Sequence, residues 1–144
     1  MVKADDISKI TQRRKKILLI EDEPDYRLAL RERLEANGYD VIEAEDGKQG
    51  LESARSQQPD LIIADAMLPK LSGFRVARIL KSDPKYKDIP LLILTVLSQE
   101  NDIKMGTSAG ADAYLINPCK SKDLLTTIEY LLSSPPGPHF SQAE

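Results

Sequence analysis

Short apolar runs alternate with longer amphipathic stretches along this chain. The runs are Ile17–Ile20, Tyr39–Ala44, Leu61–Ala64, Leu91–Leu94 and Ala113–Ile116. Strand-sized runs spaced by helix-sized stretches imply parallel strands joined by crossover helices. Most of the runs are continuously apolar, which marks strands covered on both faces. The expected architecture is therefore α/β, a doubly wound five-stranded parallel sheet built as a (βα)5 unit. Leu28, Leu30, Leu34 and Ala36 fall in a first helix that stops at Asn37-Gly38, a left-handed C-cap signal. Asp46-Gly47 opens the second helix, Ser72-Gly73 the third, Ser98 to Thr107 forms the fourth, and Ser121-Lys122-Asp123 opens the fifth.

The ends break this rhythm. Residues 1–14 are polar and aperiodic and read as a flexible arm or leader, leaving 15–133 as the folded domain. Residues 134–144 read as a Pro-rich tail or linker, because Pro135-Pro136-Gly137-Pro138 cannot continue a helix. With 144 residues there is room for one ordinary domain. A 41% hydrophobic and 30% charged composition excludes a membrane span and argues against disorder. The net charge of -3 supplies no global field for nucleic acid. Arg13-Arg14-Lys15-Lys16 lacks interleaved aromatics and reads as a solvated flank of the first strand. The single cysteine, Cys119, rules out an intramolecular disulfide and fits a cytoplasmic location. The single histidine, His139, lies in the Pro/Gly tail, so no His-Cys metal cluster or Ser-His-Asp triad is expected and any chemistry must use carboxylates, hydroxyls and lysines.

In a doubly wound sheet the ligand site lies outside the C-terminal ends of the strands. The residues leaving the strands there are Glu21-Asp22, Asp65, Thr95 and Asn117-Pro118. Carboxylates converging from adjacent strand ends repel one another unless a hard cation neutralises them, and Mg²⁺ suits an open site made from Asp22, Asp65 and a backbone carbonyl, with Glu21 acting through water. The plainer reading of Glu21, Asp22 and Glu23 is that they favour the positive end of the first helix, ahead of Pro24. Asp65 closes an apolar strand and leads a loop stiffened by Pro69 and turned by Gly73. A metal-bound carboxylate so placed is able to attack phosphorus and become an acyl phosphate. Thr95 is positioned to donate its hydroxyl to a phosphoryl oxygen, against the plainer reading of a strand-end threonine bonding its own backbone.

Lys16 to Pro24, the Asp65 to Gly73 loop, Thr95 and Gly110-Ala111-Asp112-Ala113-Tyr114 together resemble the receiver domains of two-component response regulators. The resemblance covers roughly residues 15–132. It implies a flavodoxin-like sheet of strand order 2-1-3-4-5. It further implies that Asp65 accepts a phosphoryl group from a histidine kinase or phosphotransfer protein. Mg²⁺ would be held by Glu21, Asp22, Asp65 and the Met67 carbonyl, and Thr95 and the switch aromatic Tyr114 would couple the site to the face of the fourth helix, fifth strand and fifth helix. Such a domain is a phosphoacceptor and at most a self-dephosphorylating one. Its output would pass to an effector protein or to a missing output domain, with homodimerisation left open and no membrane or direct nucleic-acid contact.

Three positions depart from the family pattern, among them Cys119, which stands where an aromatic is common and reads as a small packed hydrophobe, not a reactive thiol. Asn117 stands where the family has lysine. An ammonium about 4 Å from a phosphoryl oxygen is worth up to about 4 kcal/mol at an effective dielectric of ~20, against about 1 kcal/mol for a neutral hydrogen bond. Val96 stands where a small residue is usual and narrows access. The alternative is a pseudo-receiver, a protein-interaction module read without phosphorylation. A phosphatase of the haloacid-dehalogenase type is set aside because Met67 replaces the second aspartate of Asp-x-Asp, and dinucleotide binding because Glu21-Asp22-Glu23-Pro24 replaces a glycine-rich turn.

Overall fold

The structure, a computed structural model, describes residues 13–133 and 141–142. Strands β1 (Lys16–Ile20), β2 (Asp40–Ala44), β3 (Leu61–Ala64), β4 (Leu91–Thr95) and β5 (Ala113–Ile116) alternate with helices α1 (Pro24–Ala36), α2 (Gly47–Gln57), α3 (Gly73–Lys81), α4 (Glu100–Ala109) and α5 (Ser121–Ser133). All pairs are parallel and the five strands run in the order β2-β1-β3-β4-β5, as expected. One element exceeds expectation. A two-residue strand β6 (Ser141–Gln142) adds parallel to the outer edge of β5, with Tyr114 opposite Gln142, so the sheet has six strands. Nothing in the local sequence announces it, since two residues carry no period. The expected arm falls almost wholly outside the described residues, as does most of the expected tail.

The apolar strands alternate their side chains between two cores. Leu18, Ile20, Ile62, Ala64, Leu91 and Ile93 pack with Leu51, Ala54, Val76, Ala77, Leu80 and Ala109, which puts α2, α3 and α4 on one face. Ile17, Leu19, Leu61, Ile63, Leu92 and Leu94 pack with Leu30, Leu34, Leu124, Ile128 and Leu131, which puts α1 and α5 on the other. Helix starts match the capping residues: the Asp46 and Ser72 side chains accept from Gln49 N and Arg75 N. The fourth helix begins at Glu100, later than expected, because the Asp102 carboxylate accepts from Gln99 N at 3.1 Å and fixes the cap there.

The N-terminal edge of the sheet, opposite the strand ends of interest, is tied by charge. Arg14 donates to Asp40 at 2.9 Å and to the carbonyls of Tyr39 and Glu35, while Lys16 Nζ donates to Gln57 O at 3.0 Å. Two of the four consecutive basic residues are thus fastened to the domain. A further tie is partly buried: Lys81 Nζ donates to Asp112 Oδ2 at 2.6 Å, Ile89 O at 2.7 Å and Lys87 O at 3.0 Å, using all three ammonium hydrogens. Asp112 Oδ2 also accepts from Leu91 N at 2.8 Å, so one pair joins the end of α3 to the starts of β4 and β5. Lys81→Met leaves the Asp112 carboxylate buried without its partner. It should lower unfolding free energy by about 3–5 kcal/mol in urea titrations, and Lys81→Met with Asp112→Leu should recover part of that. A loss below about 1 kcal/mol would show the pair to be peripheral.

Candidate functional site

The parallel ladder sets the height of the strand ends. Asp65 N donates to Ile20 O at 3.1 Å and Glu21 N donates to Ala44 O at 3.0 Å, so β3 and β1 release their chains at one level. Glu21, Asp22 and Asp65 are thereby brought together, each offering a carboxylate oxygen within 4.8 Å of the others. Glu21 is buried, Asp65 half-buried and Asp22 exposed, which gives a floor, a wall and an open side. The acidic run divides its labour. Glu23 caps α1, accepting from Asp25 N at 3.2 Å ahead of Pro24, so the helix-start reading holds for Glu23 while Glu21 and Asp22 join the cluster.

Glu21 is pinned at both ends. Its carboxylate accepts from Glu23 N at 3.0 Å and its carbonyl accepts from the Arg27 guanidinium at 2.7 Å. Burial pushes its carboxyl up to about 7, the amide of Glu23 pulls it back, and the negative charges of Asp65 and Asp22 add to the rise. Hard oxygen donors crowded in this way suit a hard divalent cation, not a soft one.

The Asp65 loop is held from three directions. Asp65 Oδ1 accepts from Met67 N at 3.0 Å, so the Met67 backbone does lie against Asp65, through its amide. Gly73 N donates to Ala66 O at 3.0 Å, and a Cβ at Gly73 would stand 2.1 Å from Asp65 O, so only glycine admits this approach. Lys70 has φ 69 and Leu71 N donates to Pro69 O at 2.8 Å, a γ-turn in its strained form. Lys70 Nζ then reaches Asp46 Oδ2 at 3.5 Å, fastening the loop to the start of α2.

Thr95 is fully buried at the end of β4, and its Oγ1 accepts from Leu97 N at a long 3.4 Å. Tyr114, also buried, donates its hydroxyl to Leu97 O at 2.8 Å, and its ring lies where a Cβ at Gly106 would come within 2.8 Å. Leu97, which the motifs did not single out, is therefore the backbone link between the two. Asn117 N donates to Thr95 O at 2.8 Å, its peptide bond to Pro118 is cis, and its side-chain oxygen accepts from Tyr26 Oη at 2.8 Å. Tyr26, in the first turn of α1, carries no signal of this contact in the sequence. Val96 and Met67, which follow the ends of β4 and β3, stand exposed at 62% and 55%. Lys120 is exposed and its carbonyl accepts from Asp123 N and Leu124 N at the start of α5.

A family model described as the response regulator receiver domain matches residues 17–129. The chain is 43% identical over 117 residues to the DNA-binding dual master transcriptional regulator RpaA of Synechocystis sp., covering 81% of this chain and 48% of RpaA. It is 36% identical to Protein PilH of Pseudomonas aeruginosa, covering 82% of this chain and 98% of PilH. The chain spans about half the length of most of the curated relatives it matches. Among solved structures it resembles the receiver domain of the Pseudomonas aeruginosa sensor histidine kinase PA1611, with a magnesium ion coordinated in its active-site cleft. That match has a TM-score of 0.79 at 30% identity and covers 84% of this chain and 99% of that one. Among the described residues no helix is long and apolar enough to cross a membrane.

The raised carboxyl of Glu21 carries a signed consequence for the metal-free protein. Its folded-state value of about 7 lies above the ordinary 4.5, so ionisation opposes folding. The stability that protonated Glu21 contributes is complete below 4.5 and is lost as pH rises through about 7. The melting temperature of wild type relative to Glu21→Gln should therefore fall across that window in the presence of chelator. A difference between the two that stays constant with pH would refute the crowding.

Proposed function

The chain belongs to the response regulator receiver domain family, and from that premise we propose that Asp65 is its phosphoacceptor, loaded by a histidine kinase or phosphotransfer protein. The observation that carries this reading is the cluster itself: three carboxylates from two adjacent strand ends, one of them on a loop stiffened at Pro69 and Gly73. Glu21, Asp22, Asp65 and the Met67 carbonyl would hold Mg²⁺, which when bound offsets the negative charge of the carboxylates and of an incoming phosphoryl group.

In the transfer, a carboxylate oxygen of Asp65 forms the bond to phosphorus while the phosphorus–nitrogen bond of the donor histidine breaks, leaving an acyl phosphate on Asp65 and neutral imidazole on the donor after proton exchange. Met67 N steadies Asp65 through its 3.0 Å hydrogen bond. Thr95 accepts from Leu97 N only at 3.4 Å and keeps its own hydrogen for a phosphoryl oxygen. Turning that hydroxyl toward the phosphoryl group gives up the weakest bond in the region and frees the Leu97 amide. Leu97 O holds the Tyr114 hydroxyl at 2.8 Å, so the β4–α4 loop carries the change to the α4-β5-α5 face. That face is the proposed output, read by an effector protein or an attached output domain.

Incubation with Mg²⁺ and acetyl phosphate or phosphoramidate should add one phosphoryl mass in intact-mass spectrometry, and Asp65→Asn should add none. An adduct that survives Asp65→Asn, or no adduct from any donor with Mg²⁺ present, would defeat the assignment.

A further inference from the structure

The side chain at the end of β5 is fixed by a contact that neither the family match nor the motifs require. Tyr26 Oη donates to Asn117 Oδ1 at 2.8 Å across 91 positions of sequence, in a partly buried setting. Burial raises the Tyr26 phenol above its ordinary value, so its hydroxyl hydrogen is available to donate at neutral pH. With the phenol donating to the amide oxygen, the two ends of the Asn117 amide face different ways. The oxygen is turned to α1, and the Nδ2 amine is the end left over. Among the described residues Nδ2 has no hydrogen-bond partner, and no buried polar side-chain atom lacks one, so the amine meets open solvent. Asn117 itself sits at the strand-end rim, its backbone amide bonded to Thr95 O at 2.8 Å.

We propose that Tyr26 is a positioning residue: by holding the Asn117 carbonyl oxygen it presents the Asn117 amine, a neutral donor, to the phosphoryl oxygens at the position where an ammonium is usual. The proposal rests on Asp65 being the phosphoacceptor. The reverse amide orientation would aim a carbonyl oxygen at anionic oxygens, so the phenol selects the one rotamer of Asn117 that helps transfer. Without Tyr26 the amide is free to flip, and its donor faces the site only part of the time.

The test measures the rate of phosphorylation by acetyl phosphate and Mg²⁺ in the full chain, followed by intact mass. Tyr26→Phe should slow it about fivefold, the ratio one neutral hydrogen bond supplies. Asn117→Ala should slow it by at least as much, and adding Tyr26→Phe to Asn117→Ala should change nothing more. In an Asn117→Lys background, where an ammonium needs no orientation by a phenol, Tyr26→Phe should have no effect. A Tyr26→Phe protein as fast as wild type overturns the proposal. So does a fivefold loss that persists in either Asn117 background, because Tyr26 would then act through another group. A wild-type protein that takes no phosphoryl group defeats the phosphoacceptor reading instead. The contact is then read from the Asn117 side-chain amide resonances, which should move toward solvent-averaged shifts in Tyr26→Phe and would contradict the proposal by staying in place.

Discussion

Repulsion among three carboxylates confined within 4.8 Å of one another is the constraint to which the rest of this domain answers. Left to themselves, Glu21, Asp22 and Asp65 would separate or take up protons, and the rise of Glu21 to about 7 shows how far burial and its neighbours push it that way. They stay together because the backbone fixes where their strands end. The ladder bonds Asp65 N to Ile20 O and Glu21 N to Ala44 O fix the exits of β3 and β1, and Arg27 grips the Glu21 carbonyl. The protein thus keeps an unfavourable cluster of carboxylates assembled in advance.

Such confinement needs a scaffold that does not yield, and its parts lie away from the cluster. Two cores clamp the sheet, with the central residues of β1 and β3 essentially inaccessible to water. At the opposite edge Lys81 and Asp112 lock α3 to β4 and β5 with every ammonium hydrogen used. The Asp65 loop adds local stiffness through the Lys70 γ-turn and through Gly73, whose missing Cβ lets the chain close onto Asp65 O. Stability at one end of the strands and charge crowding at the other are two sides of one arrangement.

The sheet was legible because its signal is regional: a buried strand needs several consecutive apolar residues, and five such runs in order leave few topologies. The strand-end carboxylates were legible for a related reason, since the architecture dictates where ligands bind. Pairings between distant residues were not. Lys81 with Asp112 and Tyr26 with Asn117 join positions whose proximity only the folded chain creates, and neither residue of either pair has a local pattern that announces its partner. Leu97 was hidden differently, because it acts through its amide and carbonyl, which every residue but proline possesses. Strand β6 is too short for periodicity to reveal.

The unequal bonds around Leu97 bear on how a signal at the rim would travel. Its amide meets Thr95 Oγ1 at 3.4 Å, near the limit for a hydrogen bond, while its carbonyl holds the Tyr114 hydroxyl at 2.8 Å. A hydroxyl that turns away therefore loses little, whereas a displaced Leu97 must either carry Tyr114 along or leave a buried phenol without its acceptor. Tyr114 is hemmed on one side by the close approach of α4 at Gly106 and pairs in the sheet with Gln142 of β6. Tyr114 thus has neighbours both on the α4 face and, through the backbone, on the outermost strand. The longer of the two bonds is the one at the strand end, and the shorter one fastens the β4–α4 loop to Tyr114 on β5.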